Sequence, residues 1–228
     1  MMKKLVLVLS LFFNVLLVAV CVYQMSRPKP KVKDMKMVHY FSLQDRMLVQ
    51  EGDVVFLGGE RMALCNWMEL TGNCQVRNRA LPGNTVEREL HRIDDVLNAN
   101  PSKLVLQFGF DDMAGGLAVD TFVSDYEKLI GHIKENSPQT EILVMSLLPI
   151  DEVYSKSLYP DMTNDMVSEM NGRIKKLTEE AGVTFVNINS EFLDSKTGAL
   201  DAVYTTGDGF HLNSNAYFIW KDRIVSFF

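Results

Sequence analysis

The chain has 228 residues, 47% hydrophobic and 23% charged, which fits one packed domain with a short appendage and excludes a disordered chain. Its formal net charge of −6 is unevenly spread: residues 1–38 hold seven of the 23 Lys/Arg and one acid, Asp34, leaving 16 basic against 28 acidic residues, a net −12, for the rest. A body of that sign repels phosphate backbones and excludes nucleic acid as a partner.

The first element in the chain is apolar. Residues 5–23 (LVLVLSLFFNVLLVAVCVY) follow Lys3 and Lys4 and have the length of about 20 residues that a bilayer core requires. Val18-Ala19-Val20 is a poor cleavage site, and Val20 before Cys21 is unlike a lipoprotein signal, so the run reads as an uncleaved signal anchor in preference to a cleaved signal peptide. Residues 1–25 are assigned to this segment, 26–38 to a linker and 39–228 to the body. The linker alternates Pro28 and Pro30 with Arg27, Lys29, Lys31, Lys33 and Lys36, an extended, solvated spacer suited to anionic headgroups. Five basic residues after the apolar run against two before it favour a cytoplasmic body.

From Asp53 onward strand and helix signals alternate. Val54–Leu57 is an apolar run stopped by Gly58-Gly59. Cys74–Val76 is a weaker strand before Asn78. Lys103–Phe108 stops at Gly109, Glu141–Leu148 at Pro149, and Val183–Ile188 follows Gly182. Short apolar runs bounded by Gly or Pro read as buried parallel strands. Between them, Val86–Leu97 sets Leu90, Ile93 and Leu97 opposite Glu87 and Asp94, with Asn84 and Glu87 spaced as a capping box. Asp120–Glu135 and Asn164–Glu180 are helical by the same pattern. Asn213–Phe228 closes the chain with Tyr217, Trp220 and Ile224 as a core stripe. This alternation predicts an α/β domain: three layers, α/β/α, around a central parallel sheet of about five strands. Sites in such sheets form at the carboxyl ends of the strands, where the loops lie. Of the cysteines, Cys21 lies in the apolar run, Cys65 reads as a small core residue, and pairing of Cys65 with Cys74 stays open. His91 reads as solvent-facing and Asp112 as structural.

Four loops carry the chemistry: Gly58-Gly59-Glu60, Asn78-Arg79-Ala80-Leu81-Pro82-Gly83-Asn84-Thr85, Gly109-Phe110-Asp111-Asp112, and Gly207-Asp208-Gly209-Phe210-His211. Together with Trp67-Met68-Glu69-Leu70, their order and spacing resemble the SGNH (GDSL-type) hydrolase family from about Gly52 to the C-terminus, with most likeness to its platelet-activating-factor acetylhydrolase-like bacterial branch. The resemblance implies a flavodoxin-like fold and carboxylic-ester hydrolysis without a cofactor. It sets Glu60 at the position of the nucleophilic serine, Gly59 at that of the adjoining aspartate, Gly83 and Asp111 at the two oxyanion-hole positions, and Asp208 and His211 at those of the Asp–His pair.

Two of those identities alter the chemistry. Acyl transfer needs a hydroxyl, a His to take its proton and a carboxylate to orient the His. An ionised Glu60 has no proton to give. An ionised Asp111 is an acceptor only, and loss of one oxyanion donor typically costs about 100–1,000-fold in rate. The sequence therefore predicts a degenerate, non-catalytic domain with a binding or scaffold role, for acylated glycans or lipids, held at a membrane through residues 5–23. The resemblance favours an exported body, against the linker charges. The alternative is an active hydrolase with altered carboxylate- or metal-assisted chemistry at Asp208 and His211. For that case Glu60, Asp111, Asp208 and His211 form the candidate ligand set of a divalent cation.

Overall fold

The computed structural model describes residues 41–228; the expected signal anchor and the linker lie outside that range. The body opens with helix α1 over 41–48. The elements β1 (Val54–Gly58), α2 (Glu60–Ala63), α3 (Trp67–Thr71), β2 (Val76–Asn78), α4 (Val86–Leu90), α5 (Ile93–Leu97) and β3 (Lys103–Gln107) follow. Then come α6 (Phe110–Ala114), α7 (Val119–Asn136), β4 (Glu141–Met145), α8 (Glu152–Ser155), α9 (Asn164–Ala181), β5 (Thr184–Val186) and α10 (Ser214–Ile224). The five strands are all parallel, in the order β2-β1-β3-β4-β5. The chain runs from β1 outward to β2 and then crosses back to β3. That reversal leaves a crevice beyond the carboxyl ends of β1 and β3, where open α/β sheets bind ligands.

The strands are buried on both faces, as their near-continuous apolar runs require. Alternation splits them between two cores. Val55, Leu57, Leu104, Leu106 and Val144 pack with α4, α5, α7 and α9. Val54, Phe56, Val105, Leu143 and Met145 pack with Trp67 and with Tyr217, Trp220 and Ile224 of α10. Trp67 stacks on Phe56 and meets Trp220 edge-on, at centroid distances of 4.8 and 5.1 Å. The result is the three-layer α/β/α architecture expected from sequence.

Two local expectations are corrected. The stretch 86–97 is two short helices, broken at His91-Arg92, because Arg92 leaves the helical register and buries its guanidinium among Asp45, Glu89 and the Arg79 carbonyl. The capping box does not form. Thr85 is the N-cap and accepts from the Arg88 N–H at 3.3 Å, while Asn84 turns inward and donates to Glu89. Cys65 and Cys74 are free thiols, one buried and one exposed. His91 is exposed, and Asp112 is buried with Oδ1 accepting the Val86 N–H at 3.2 Å. No helix among the described residues is long and apolar enough to cross a membrane.

Candidate functional site

Glu60 is the first residue of α2, directly after β1, and Asp111 lies in the first turn of α6, after β3. Gly83 follows β2, with φ +75°, a conformation that favours glycine. Asp208 and His211 lie in the loop before α10. The fold thus gathers the loops that carry the five residues singled out from sequence.

Asp208 organises its loop. Its Oδ1 accepts the N–H groups of Phe210 and His211 at 2.9 and 2.8 Å, and its Oδ2 meets His211 Nδ1 at 2.5 Å. Partial burial opposes the charge, but the imidazole and those two N–H groups outweigh it and hold the carboxyl below its ordinary range. The other imidazole nitrogen, Nε2, stands 3.7 Å from Glu60 Oε1. His211 therefore has a carboxylate at each nitrogen. A neutral ring carries one N–H and can satisfy one of them; only the imidazolium offers a proton to both.

Asp111 lies between the Glu60 and Gly83 segments. Burial raises its carboxyl to about 6, helped by the Glu60 charge and opposed by the backbone N–H groups of Glu60 and Gly83 and by Arg88. Its Oδ2 is buried and has no hydrogen-bond partner among the described residues. That oxygen occupies the space a side chain at position 59 would need: a Cβ built on Gly59 would stand 2.0 Å from it. With Asp111 in this orientation, position 59 has no room for a side chain. Behind it, burial and then the Asp111 charge push Asp112 up to about 7.

Arg61 was not identified from sequence. It is buried beside Glu60 and donates to three backbone carbonyls: Phe210 O from Nε at 3.0 Å, Leu148 O from Nη1 at 3.2 Å and Pro149 O from Nη2 at 3.0 Å. Its Cζ lies 4.1 Å from the Phe210 ring centre and 5.3 Å from that of Phe110. Burial pulls this guanidinium down to about 9, opposed by Tyr217, Tyr159, Asp208 and Asp111. The signal in sequence was a charged residue inside an apolar strand-to-helix turn, FLGGERMAL. Arg61 ties the His211 loop to the segment after β4. Gly59, Glu60, Arg61, Gly109, Phe110 and Asp111 line a cavity of about 20 Å³, room for about one water molecule.

No group of three or more His, Cys, Asp or Glu side chains among the described residues is arranged to hold a metal ion. The set Glu60, Asp111, Asp208 and His211 is instead a chain of polar neighbours, carboxylate to imidazole to carboxylate, with Asp111 behind Glu60.

No curated protein matches the chain. Among solved structures it is similar to a Streptococcus pneumoniae protein described as a platelet activating factor. The TM-score is 0.77 at 23% identity, over 85% of this chain and 91% of that one. It is similar to a GDSL-like lipase of Bacteroides thetaiotaomicron (TM-score 0.71, 23% identity, 83% and 95%). A Bacteroides fragilis protein described as an acylhydrolase gives 0.69 at 21% identity, over 80% and 91%. At these identities the likeness is one of fold. The profile of the GDSL-like Lipase/Acylhydrolase family matches residues 60–218, about 70% of the chain, and the protein belongs to that family.

Proposed function

We propose that this domain is a non-catalytic member of its family, of the platelet-activating-factor acetylhydrolase-like branch, that serves as a binding or scaffold module. In this reading Glu60 stands in the nucleophile position, Asp111 and Gly83 in the oxyanion-hole positions, and Asp208 and His211 keep the inherited pair. The observation that carries it is the Glu60 carboxylate 3.7 Å from His211 Nε2. The nitrogen that would receive a hydroxyl proton faces an acceptor with no proton to offer. Asp111 adds to this, because a buried carboxylate at an oxyanion position opposes the negative charge that ester cleavage develops. The ligands we propose are acylated glycans or lipids at a membrane surface, reached by an exported body tethered through residues 5–23.

The competing reading, a hydrolase with altered carboxylate chemistry, draws on one observation: a carboxyl at Asp111 that titrates near 6 is a proton donor and acceptor close to neutral pH. Hydrolysis of p-nitrophenyl acetate by wild-type protein and His211→Ala separates the two. The sealed site predicts equal rates at the level of a non-enzymatic protein control. A wild-type rate typical of enzymes that falls in His211→Ala would establish the competing reading.

A further inference from the structure

Helix α1 is inside out. Its buried side chains are the polar Ser42 and Asp45, whereas Leu43, Met47 and Leu48 are 45%, 78% and 49% exposed. A helix at the surface of a domain ordinarily turns its apolar stripe inward, so charge and not apolar burial holds this one. Asp45 is completely buried, with Oδ1 2.5 Å from Arg79 Nε and Oδ2 3.0 Å from Arg92 Nη1. Asp95 provides a second tie, to Ser42 Oγ and Arg46 Nε.

The network does not end at the helix. Arg92 Nε lies 2.9 Å from Glu89 Oε2, and the same oxygen accepts from Asn84 Nδ2 at 2.7 Å. Glu89 Oε1 has no hydrogen-bond partner among the described residues. The orientation of this buried carboxylate therefore rests on Arg92 on one side and Asn84 on the other. Asn84 adjoins Gly83, and its carbonyl oxygen lies 3.8 Å from where a Cβ on Gly59 would stand. Asp45, Glu89, Arg79 and Arg92 also sum to zero charge, so removing any one leaves an uncompensated buried charge.

We propose that Asp45 is a positioning residue. Through Arg92 and Glu89 it fixes Asn84, and with it the Gly83 loop against Gly59 and Asp111, so that α1 sets the geometry of the candidate site from outside it. A network that served only to hold α1 on the body would have no reason to terminate on the side chain of a site loop. The proposal is independent of whether the site turns over an ester.

The test uses the full chain in detergent micelles, with amide hydrogen exchange read by mass spectrometry and the Asp111 carboxyl read by NMR of ¹³C-labelled aspartate. The Asp111 signal is identified by its loss in Asp111→Asn. The control is Val49→Ala, next to α1, whose 5%-exposed side chain packs in the apolar core and takes no part in the network. Asp45→Asn is expected to raise exchange about tenfold over both 41–48 and 79–89 relative to β4. It is also expected to move the Asp111 midpoint upward by about half a pH unit as the Gly83 amide withdraws. Asn84→Ala, which cuts the last link and leaves α1 docked, is expected to reproduce both effects at 79–89 and Asp111 while leaving 41–48 unchanged. If Asp45→Asn loosens 41–48 but leaves 79–89 and Asp111 as they are in Val49→Ala, the network is only a clamp and the proposal fails. Should Asp45→Asn not fold, Asn84→Ala decides alone: an unmoved Asp111 midpoint overturns it.

Discussion

Three arginines are buried among the described residues, Arg61, Arg79 and Arg92, and the surroundings of Arg92 and Arg61 differ in kind. Arg92 has carboxylates on two sides, Asp45 and Glu89, and its neighbourhood is electrically closed. Arg61 has three carbonyls and two aromatic rings and, among the described residues, no carboxylate within ion-pair distance. The first arrangement is that of a structural joint. The second leaves its charge to be felt by the carboxylates around it, Asp208 and Asp111 among them. Around Arg92 charge is met by direct ion pairs, whereas the Arg61 charge acts at a distance on Asp208 and Asp111.

The comparison breaks most visibly in stability. Arg92→Met leaves Glu89 and one side of Asp45 buried without their cation, and is expected to cost about 3–5 kcal/mol in urea unfolding. Arg61→Met keeps most of the volume and the ring contacts. It leaves three carbonyls without donors but removes a desolvated charge, so about 1–3 kcal/mol is expected. Equal losses for the two variants would mean that the site arginine is as structural as the other.

The smallest effect concerns pH. The folded-state value of Asp112 is raised from 3.8 to about 7. Its neutral form is thus favoured by folding, and the stability this contributes is present below about pH 4 and lost as pH rises through about 7. Asp112→Asn cannot ionise and still accepts the Val86 N–H through its amide oxygen. Its melting temperature, set against that of wild type, should rise between roughly pH 4 and 7 and level off above that. A difference that stays constant over that window would show that this carboxyl is not held in its neutral form.

Much of this was legible in the sequence, for reasons that also explain what was not. The strands are short apolar runs bounded by Gly or Pro, and four of the five start within one residue of where that pattern puts them; β2 lies at Val76–Asn78 and not at 74–76, and the ladders end a few residues earlier than the apolar runs at 141–148 and 183–188. The loops that carry Glu60, Gly83, Asp111, Asp208 and His211 were legible because each follows a strand or precedes the last helix; the choice of those residues within them rests on the family resemblance. Arg61 was not, because its partners lie 87–149 residues away and are backbone carbonyls, which leave no mark in sequence. The break after Leu90 was hidden for a similar reason, since Arg92 turns out of the helix toward Asp45, 47 residues earlier. Helix α1 escaped notice because a helix with its polar face buried has no apolar stripe to find.

The central claim is that ester chemistry has been removed locally, at two side chains, from an intact scaffold. It is tested most directly by the initial rate of p-nitrophenyl acetate hydrolysis by Glu60→Ser/Asp111→Asn measured beside wild type. The account predicts a wild-type rate indistinguishable from background and a double variant faster by about 100-fold or more, since a hydroxyl then meets His211 Nε2 and a donor replaces an acceptor. A wild type that hydrolyses the ester as fast as the double variant, and loses that activity in His211→Ala, would contradict it.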